Sequence, residues 1–134
     1  FSLQLAQYRN TDIVLLLQGR VILSQTDMLE CFDWSEPWGS PTTGFLRELL
    51  NDEREFGEVR RLLLLHWCTG LNALPVSGLE RKVTLVLDNT DGPPDLRLPT
   101  AHTCDHSIDL PSYSSKDVLC TKLKSALDAF ELNP

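Results

Sequence analysis

The stretch KVTLVLDNTDG, Lys82–Gly92, carries the clearest β-strand pattern in this 134-residue chain. It alternates in polarity, is rich in β-branched side chains and ends in the polar sequence Asn89–Gly92, which is typical of a strand followed by a turn. Pro93 and Pro94 keep the next loop out of any sheet. Helical patterns lie before this strand, and another closes the chain. This order predicts an α+β (mixed α/β) fold with a small central sheet of about four strands flanked by helices.

Three helices are predicted before the strand, each from its own cap signals. Ser40 followed by Pro41 is a helix start, because proline lacks only a donor that the first helical turn does not use. Gly70 is placed to end the last of the three in a left-handed cap. These helices run from Ser24 or Thr26 through Phe32, from Ser40 to about Asn51, and from about Arg54 to Cys68 with Val59 on the apolar stripe.

Two short extended pieces and a helix are predicted after the strand. One extended piece leads into His102–Cys104, and the other covers Ile108–Leu110. Ser114 or Ser115 then caps a closing helix whose apolar positions repeat at three and four as far as Phe130.

Charge and hydropathy exclude several classes of partner. The formal net charge is −7 and the isoelectric point is near 4.8, so neither nucleic acid nor an anionic membrane is expected to bind. Residues 1–23 form an apolar segment that is ambiguous between strand and helix. Its run IVLLLQGRVIL is interrupted at residues 18–20, which makes it too short for membrane insertion. No basic region precedes it, so no signal peptide is expected.

The four cysteines are scattered without a CxxC pair, which predicts a reduced protein inside the cell, in the cytoplasm or the nucleus. Cys31, Cys68 and Cys120 lie among leucines or on a helical stripe and are predicted to be structural. Cys104 differs, because its neighbours in LPTAHTCDHSIDLP, Leu98–Pro111, are polar and include two histidines.

Local chemistry leaves three roles open for Cys104: a reactive thiol, a metal ligand or a structural thiol. His102, Cys104 and His106 would share one face of an extended chain. Their spacing matches no usual zinc site, so no metal and no cofactor is predicted. A hydrolase would use Cys104 as nucleophile, a histidine as base, and Asp105 or Asp109 to orient that base. No glycine-flanked nucleophile motif is present.

The same segment resembles the active-site segment of HECT-type ubiquitin ligases, through LPTAHTC at Leu98–Cys104 followed by Leu110 and Pro111. The flanking sequences are similar to the family as well. The additional matching positions are Thr69, Gly70, Leu74, Pro75 and Gly78 upstream, and Tyr113, Ser115, Leu119, Lys122 and Leu123 in the closing helix.

The resemblance implies a ubiquitin-protein ligase of the HECT type. Cys104 would accept ubiquitin as a thioester and pass it to a substrate lysine, which needs some thiolate near neutral pH but no full catalytic triad. It also implies supporting roles for Thr103 at the developing oxyanion and for His102 beside the thiol. Phe130 is the nearest counterpart of a phenylalanine near the family's C-terminus. Asp105 and His106 depart from the family, which often has an apolar residue and then Asn or Ser.

The resemblance further implies a division of the chain and a set of partners. Residues 1–33 would be the C-terminal end of the family's N-lobe, residues 34–40 the interlobe hinge, and residues 41–134 the catalytic C-lobe. The expected partners are ubiquitin, a ubiquitin-conjugating enzyme that docks on the largely missing N-lobe, and protein substrates. Two other functions stay open: a ubiquitin-binding or interaction module with an inactive cysteine, and a cysteine hydrolase that releases ubiquitin.

Overall fold

The computed structural model describes residues 23–35 and 40–132, so the predictions for residues 1–22 and for Trp38 lie outside the described residues. The helices are α1 (Gln25–Glu30), α2 (Thr42–Leu50), α3 (Glu58–Thr69) and α4 (Lys116–Leu132). The strands are β1 (Phe32–Asp33), β2 (Val83–Asp88), β3 (Thr100–His102) and β4 (Ser107–Pro111), and a short 3₁₀ helix covers Pro94–Leu96.

The four strands form one mixed sheet in the order β1-β2-β4-β3. Strands β1 and β4 both lie parallel to β2, and β3 runs antiparallel to β4. The register pairs Thr84 with Ser107 and Val86 with Asp109. Val83 and Leu85 are buried while Thr84 and Val86 are exposed, so one face of β2 meets the core. The predicted α+β fold with a small sheet flanked by helices is confirmed.

The helices and the covered face of the sheet share one buried cluster. Helices α2 and α3 pack against α4, and α3 also contacts β3 and β4. Leu23, Met28 and Phe32 belong to the same cluster as the residues after position 40. Residues 23–33 therefore pack against the part of the chain that follows position 40. The division of the chain into an N-lobe end, a hinge and a C-lobe, at residues 33–34 and 40–41, stays a prediction. No helix in residues 23–35 and 40–132 has the length and apolarity to cross a membrane.

The first helix is shorter than predicted, because the chain leaves it to join the sheet. The Ser24 hydroxyl accepts the Asp27 N–H while the Asp27 carboxylate accepts the Ser24 N–H, a capping box that fixes the start of α1. Phe32 was predicted to be helical, but it lies in β1 and pairs with Val83. A two-residue strand depends on its distant partner and leaves no periodic pattern in the sequence.

Helix α3 begins at Glu58 rather than near Arg54, so the prediction of its start was wrong. The Asp52 carboxylate accepts the backbone N–H of Arg54 and of Glu55, which holds this stretch in a turn instead of a helix. Val59 therefore falls in the first helical turn and is 76% exposed instead of lying on the buried stripe. The far end agrees with the prediction, since Gly70 caps α3 with φ of 78°.

The other predicted caps agree with the structure to within a residue. The Ser40 hydroxyl accepts the Thr42 N–H at the start of α2, and Asn51 follows its last residue. The Ser115 hydroxyl accepts the Val118 N–H at the start of α4. Trp34, in the predicted hinge, is anchored through an Nε1–H bond to the Leu29 carbonyl at 2.8 Å.

Candidate active site

Cys104 is exposed at the turn that joins β3 to β4. Backbone bonds from Asp105 N to the His102 carbonyl at 3.2 Å and from His106 N to the Thr103 carbonyl at 3.3 Å shape this turn. The predicted extended pieces on either side are strands β3 and β4, so the hairpin presents the thiol at one end of the sheet. Accessibility to solvent is one of the conditions that a reactive cysteine must meet, and the Cys104 thiol meets it.

His106 gives the turn an unusual backbone conformation. Its φ is 49°, the one positive value found at a non-glycine residue among the described residues. Histidine is enriched in this left-handed region relative to most side chains. The His106 carbonyl then accepts the Thr84 N–H at 2.8 Å, so the turn passes directly into the ladder between β4 and β2.

Arg81, which the sequence analysis did not single out, bonds to the turn in two ways. Its guanidinium Nη2 donates to the Cys104 carbonyl at 2.9 Å, and its own carbonyl lies 3.0 Å from Nδ1 of His106. The register explains the proximity: Thr84 pairs with Ser107, and Arg81 and Cys104 each lie three residues before those partners. The alignment of two parallel strands, which no sequence motif records, brings the two residues together.

His102 and Asp109 form a pair beside the cysteine. Nε2 of His102, at the end of β3, lies 2.9 Å from a carboxylate oxygen of Asp109 on β4. Both side chains are partly exposed, at 43% and 34%. A carboxylate accepts hydrogen bonds, so this contact assigns the ring proton to Nε2 and leaves the lone pair of the neutral ring on Nδ1.

The loop Leu74–Gly78 meets the cysteine turn at a shallow depression. The Gly78 N–H donates to the Pro75 carbonyl at 2.8 Å, and Gly78 has φ of 88°. Pro75, Gly78, Leu79 and His106 are among the residues that line the depression, whose volume is about 320 Å³. The upstream loop that carried part of the resemblance therefore lies next to the turn of the Cys104 hairpin.

The remaining predicted site residues have different positions. Thr103 is exposed in the turn next to Cys104. Phe130 is half-buried on α4, where its ring meets the His66 ring of α3 edge to face with centroids 5.3 Å apart. It is one of the partly buried side chains packed against the core. The structure brings His102, Thr103 and Cys104 together in one hairpin and gives Phe130 a packing contact between two helices.

The other cysteines are at least partly buried, in contrast to Cys104. Cys31 and Cys68 are buried and Cys120 is half-buried. Burial raises the pKa of the Cys68 thiol far above its ordinary range, and burial also raises the pKa of Cys120. Among the described residues, no group of three or more His, Cys, Asp or Glu side chains is arranged to hold a metal ion.

Comparison with known sequences places these residues in a family. A family model described as HECT-domain (ubiquitin-transferase) matches residues 4–132. The chain is 32% identical over 124 residues, 92% of its length, to a bifunctional serine/threonine-protein kinase/NEDD4-like E3 ubiquitin-protein ligase of Dictyostelium discoideum. Over 77 residues, 58% of its length, it is 36% identical to the probable E3 ubiquitin-protein ligase HERC3 of Homo sapiens.

A third relative is the ubiquitin fusion degradation protein 4 of Saccharomyces cerevisiae, with 38% identity over 78 residues, 54% of this chain. All three relatives are much longer than this chain, which spans 6%, 7% and 5% of their respective lengths. The match to the family model, over residues 4–132, includes the whole hairpin that carries Cys104.

Proposed function

Because the chain belongs to the HECT-domain (ubiquitin-transferase) family, we propose that it is the catalytic lobe of a ubiquitin-protein ligase. In this proposal Cys104 accepts ubiquitin from a conjugating enzyme as a thioester and transfers it to a lysine of a protein substrate. The observation that supports the proposal most strongly is the exposed Cys104 thiol at the tip of the β3–β4 hairpin, inside the family match.

The first step is a thiol–thioester exchange. The Cys104 thiolate attacks the thioester carbonyl carbon of ubiquitin, a new C–S bond forms, and the C–S bond to the donor thiol breaks. One thioester replaces another, so the step is close to isoenergetic and depends on thiolate fraction, nucleophilicity and access. Exposure of Cys104 provides the access. The Thr103 hydroxyl, exposed in the same turn, would donate to the negative oxygen that develops on the carbonyl.

The second step transfers ubiquitin to an amine. A lysine nitrogen attacks the Cys104 thioester, an amide bond forms, and the Cys104 thiolate leaves. The lysine ammonium must lose a proton before its nitrogen can attack, and the neutral His102 ring has its free lone pair on Nδ1, with Asp109 bonded at Nε2. We assign His102 as the group that accepts this proton and Asp109 as the residue that orients the ring.

The lobe division and the cellular setting belong to the same proposal. Residues before the described range would continue into the lobe that the conjugating enzyme contacts, with residues 34–40 as the connecting hinge. An exposed catalytic thiol needs a reducing compartment, which favours the cytoplasm or the nucleus as its place of action.

A hydrolase is the second candidate, and one observation favours it. Cys104, His102 and Asp109 supply the thiol, imidazole and carboxylate that a cysteine hydrolase uses, with the histidine–carboxylate bond formed at 2.9 Å. Water in place of lysine would then release free ubiquitin from the Cys104 thioester.

The test mixes this chain with ubiquitin that carries a small-thiol thioester at its C-terminus, which removes the need for a conjugating enzyme. Products are separated with and without reductant. We expect a reductant-labile adduct of one ubiquitin per chain. The Cys104→Ala variant should form no adduct, whereas Cys120→Ala, which changes a half-buried cysteine, should react like the unaltered chain.

The outcomes separate the candidate functions. A labile adduct that needs Cys104 and disappears when free lysine is added, with ubiquitin–lysine as the product, supports the ligase. Rapid Cys104-dependent release of free ubiquitin without an adduct would favour the hydrolase. Binding of ubiquitin without any Cys104-dependent chemistry would contradict both and favour an interaction module.

A further inference from the structure

We propose that Arg81 and His106 form a clasp that positions Cys104 for thioester exchange, an inference that rests on the proposed function. The clasp consists of two bonds between the same pair of segments. The Arg81 guanidinium donates to the Cys104 carbonyl at 2.9 Å, and the Arg81 carbonyl faces Nδ1 of His106 at 3.0 Å. Arg81 is thus engaged through both its side chain and its main chain.

The bond from Arg81 acts on the peptide unit that follows the nucleophile. Fixing the carbonyl of Cys104 restricts rotation about its Cα–C bond, and this orients the Cα–Cβ bond that carries the sulfur. A reacting atom must be held in a narrow range of positions for efficient attack. Within the turn itself, the backbone makes two hydrogen bonds, at 3.2 and 3.3 Å. Both are longer than the two bonds that involve Arg81.

The bond from His106 completes the clasp from the other side. A carbonyl oxygen only accepts hydrogen bonds, so Nδ1 of His106 carries the proton, and the bond is retained whether or not the ring is charged. The His106 backbone is meanwhile held at φ of 49°, with its carbonyl bonded to the Thr84 N–H at 2.8 Å. Cys104 and His106 of the turn are therefore both bonded to the segment 81–84.

Two exposed hydrogen bonds are individually weak, but bonds that form a closed arrangement can strengthen one another. Each bond holds Arg81 in the place where it makes the other bond, so the loss of either loosens both. Such coupling is expected of a positioning clasp and not of two independent surface contacts. A substitution at His106 also separates the clasp from a simple effect of the arginine charge, because it leaves that charge in place.

The experiment is a double-mutant cycle on the rate at which Cys104 acquires ubiquitin from the small-thiol thioester. The variants are Arg81→Ala, His106→Gly and the double variant, where glycine tolerates the positive φ at position 106. We expect each single variant to slow the reaction about fivefold, and the double variant to be no slower than about the worse single one. Arg81→Lys, which keeps a donor, should recover most of the rate. Arg54→Ala removes an exposed arginine from the loop before α3 and serves as the control.

The outcomes separate this inference from the proposed function. If the unaltered chain acquires no ubiquitin, the proposed function fails, and the clasp is judged by two other readouts. These are hydrogen exchange of the amides at residues 105–106 and alkylation of Cys104 by iodoacetamide, both of which should change in Arg81→Ala and not in Arg54→Ala. Unchanged rates and exchange in both single variants would overturn the clasp. So would a double variant about 25-fold slower, the product of two independent fivefold effects.

Discussion

Cys68 and Cys104 carry the same side chain in opposite surroundings. Cys68 lies inside α3 with no exposed surface, and burial raises the pKa of its thiol far above the ordinary value. Cys104 lies at the tip of a hairpin among His102, Thr103 and His106, open to solvent. The comparison shows that the packed core encloses one thiol while the polar turn exposes the other. The exposure of each thiol follows from where the backbone places its sulfur.

Alkylation under native conditions should give the largest difference between the two cysteines. We expect iodoacetamide to modify Cys104 faster than Cys68 by about a thousandfold or more, because Cys68 becomes accessible only when the surrounding structure opens. The measurement is peptide-resolved mass spectrometry over time, with half-buried Cys120 expected to fall between the two. Similar rates for Cys68 and Cys104 would contradict the buried environment of Cys68.

Matched serine substitutions at the two cysteines should lower the free energy of unfolding by different amounts. Cys68→Ser places a hydroxyl in an apolar site and should lower the free energy of unfolding by about 1 to 3 kcal/mol. Cys104→Ser, at an exposed position, should change it by less than about 0.5 kcal/mol. Urea unfolding of both variants beside the unaltered chain measures the difference. Equal losses of stability would mean that the two sites are packed alike.

Alkaline pH should destabilise the fold because the buried Cys68 thiol and the buried Tyr113 phenol resist losing their protons. Cys68 and Tyr113 both have a pKa raised by burial, from ordinary values of 9.0 and 10.0. The unfolded chain therefore releases these protons first, so their stabilisation is complete below about pH 9 and is lost as pH rises further. Each group contributes a decline of up to about 1.4 kcal/mol per pH unit.

The measurement is urea unfolding between pH 8 and pH 10.5, with Cys68→Ser as the comparison because it removes one of the two groups. The variant should lose stability less steeply above pH 9 than the unaltered chain. Parallel pH profiles would contradict the assigned contribution of Cys68.

The smallest predicted effect concerns the residue that orients His102. Asp109→Asn keeps the size of the side chain but removes the charge that holds Nε2 of His102. We expect transfer of ubiquitin from Cys104 to free lysine to slow about threefold to tenfold, while acquisition of ubiquitin by Cys104 stays within about twofold. Asp117→Asn, in the first turn of α4, is the matched control. Equal slowing of both steps would argue for a purely structural pair.

Local signals in the sequence predicted most of the fold. The strand Val83–Asp88 shows alternation, Gly70 supplies a left-handed cap, and Ser115 supplies a hydroxyl cap, and each of these depends on neighbouring residues only. The errors arose where the structure depends on distant contacts or on competing turns. Phe32 joins the sheet through Val83, and the Asp52 carboxylate turns the chain where a helix was expected.

For the candidate site too, the sequence indicated the residues with local signals and missed the contacts that depend on strand pairing. The polar surroundings of Cys104 marked it as unusual, and the motif around it carried the resemblance to the family. Asp109 could be named as a candidate, but its pairing with His102 depends on the register of β3 and β4. Arg81 left no signal at all, because it approaches Cys104 from 23 residues away through the pairing of β2 with β4.

Locating the ubiquitin attachment site by mass spectrometry tests most directly whether Cys104 is the residue that accepts ubiquitin. The chain is mixed with the ubiquitin thioester, stopped in acid without reductant, digested and sequenced, with Cys104→Ser run in parallel. We expect the ubiquitin C-terminal remnant on Cys104 in the unaltered chain, and an oxygen ester that resists thiol reductant on the serine of the variant. A remnant on Cys120 with Cys104 unmodified, or a remnant on a lysine that forms equally well in Cys104→Ser, would contradict it.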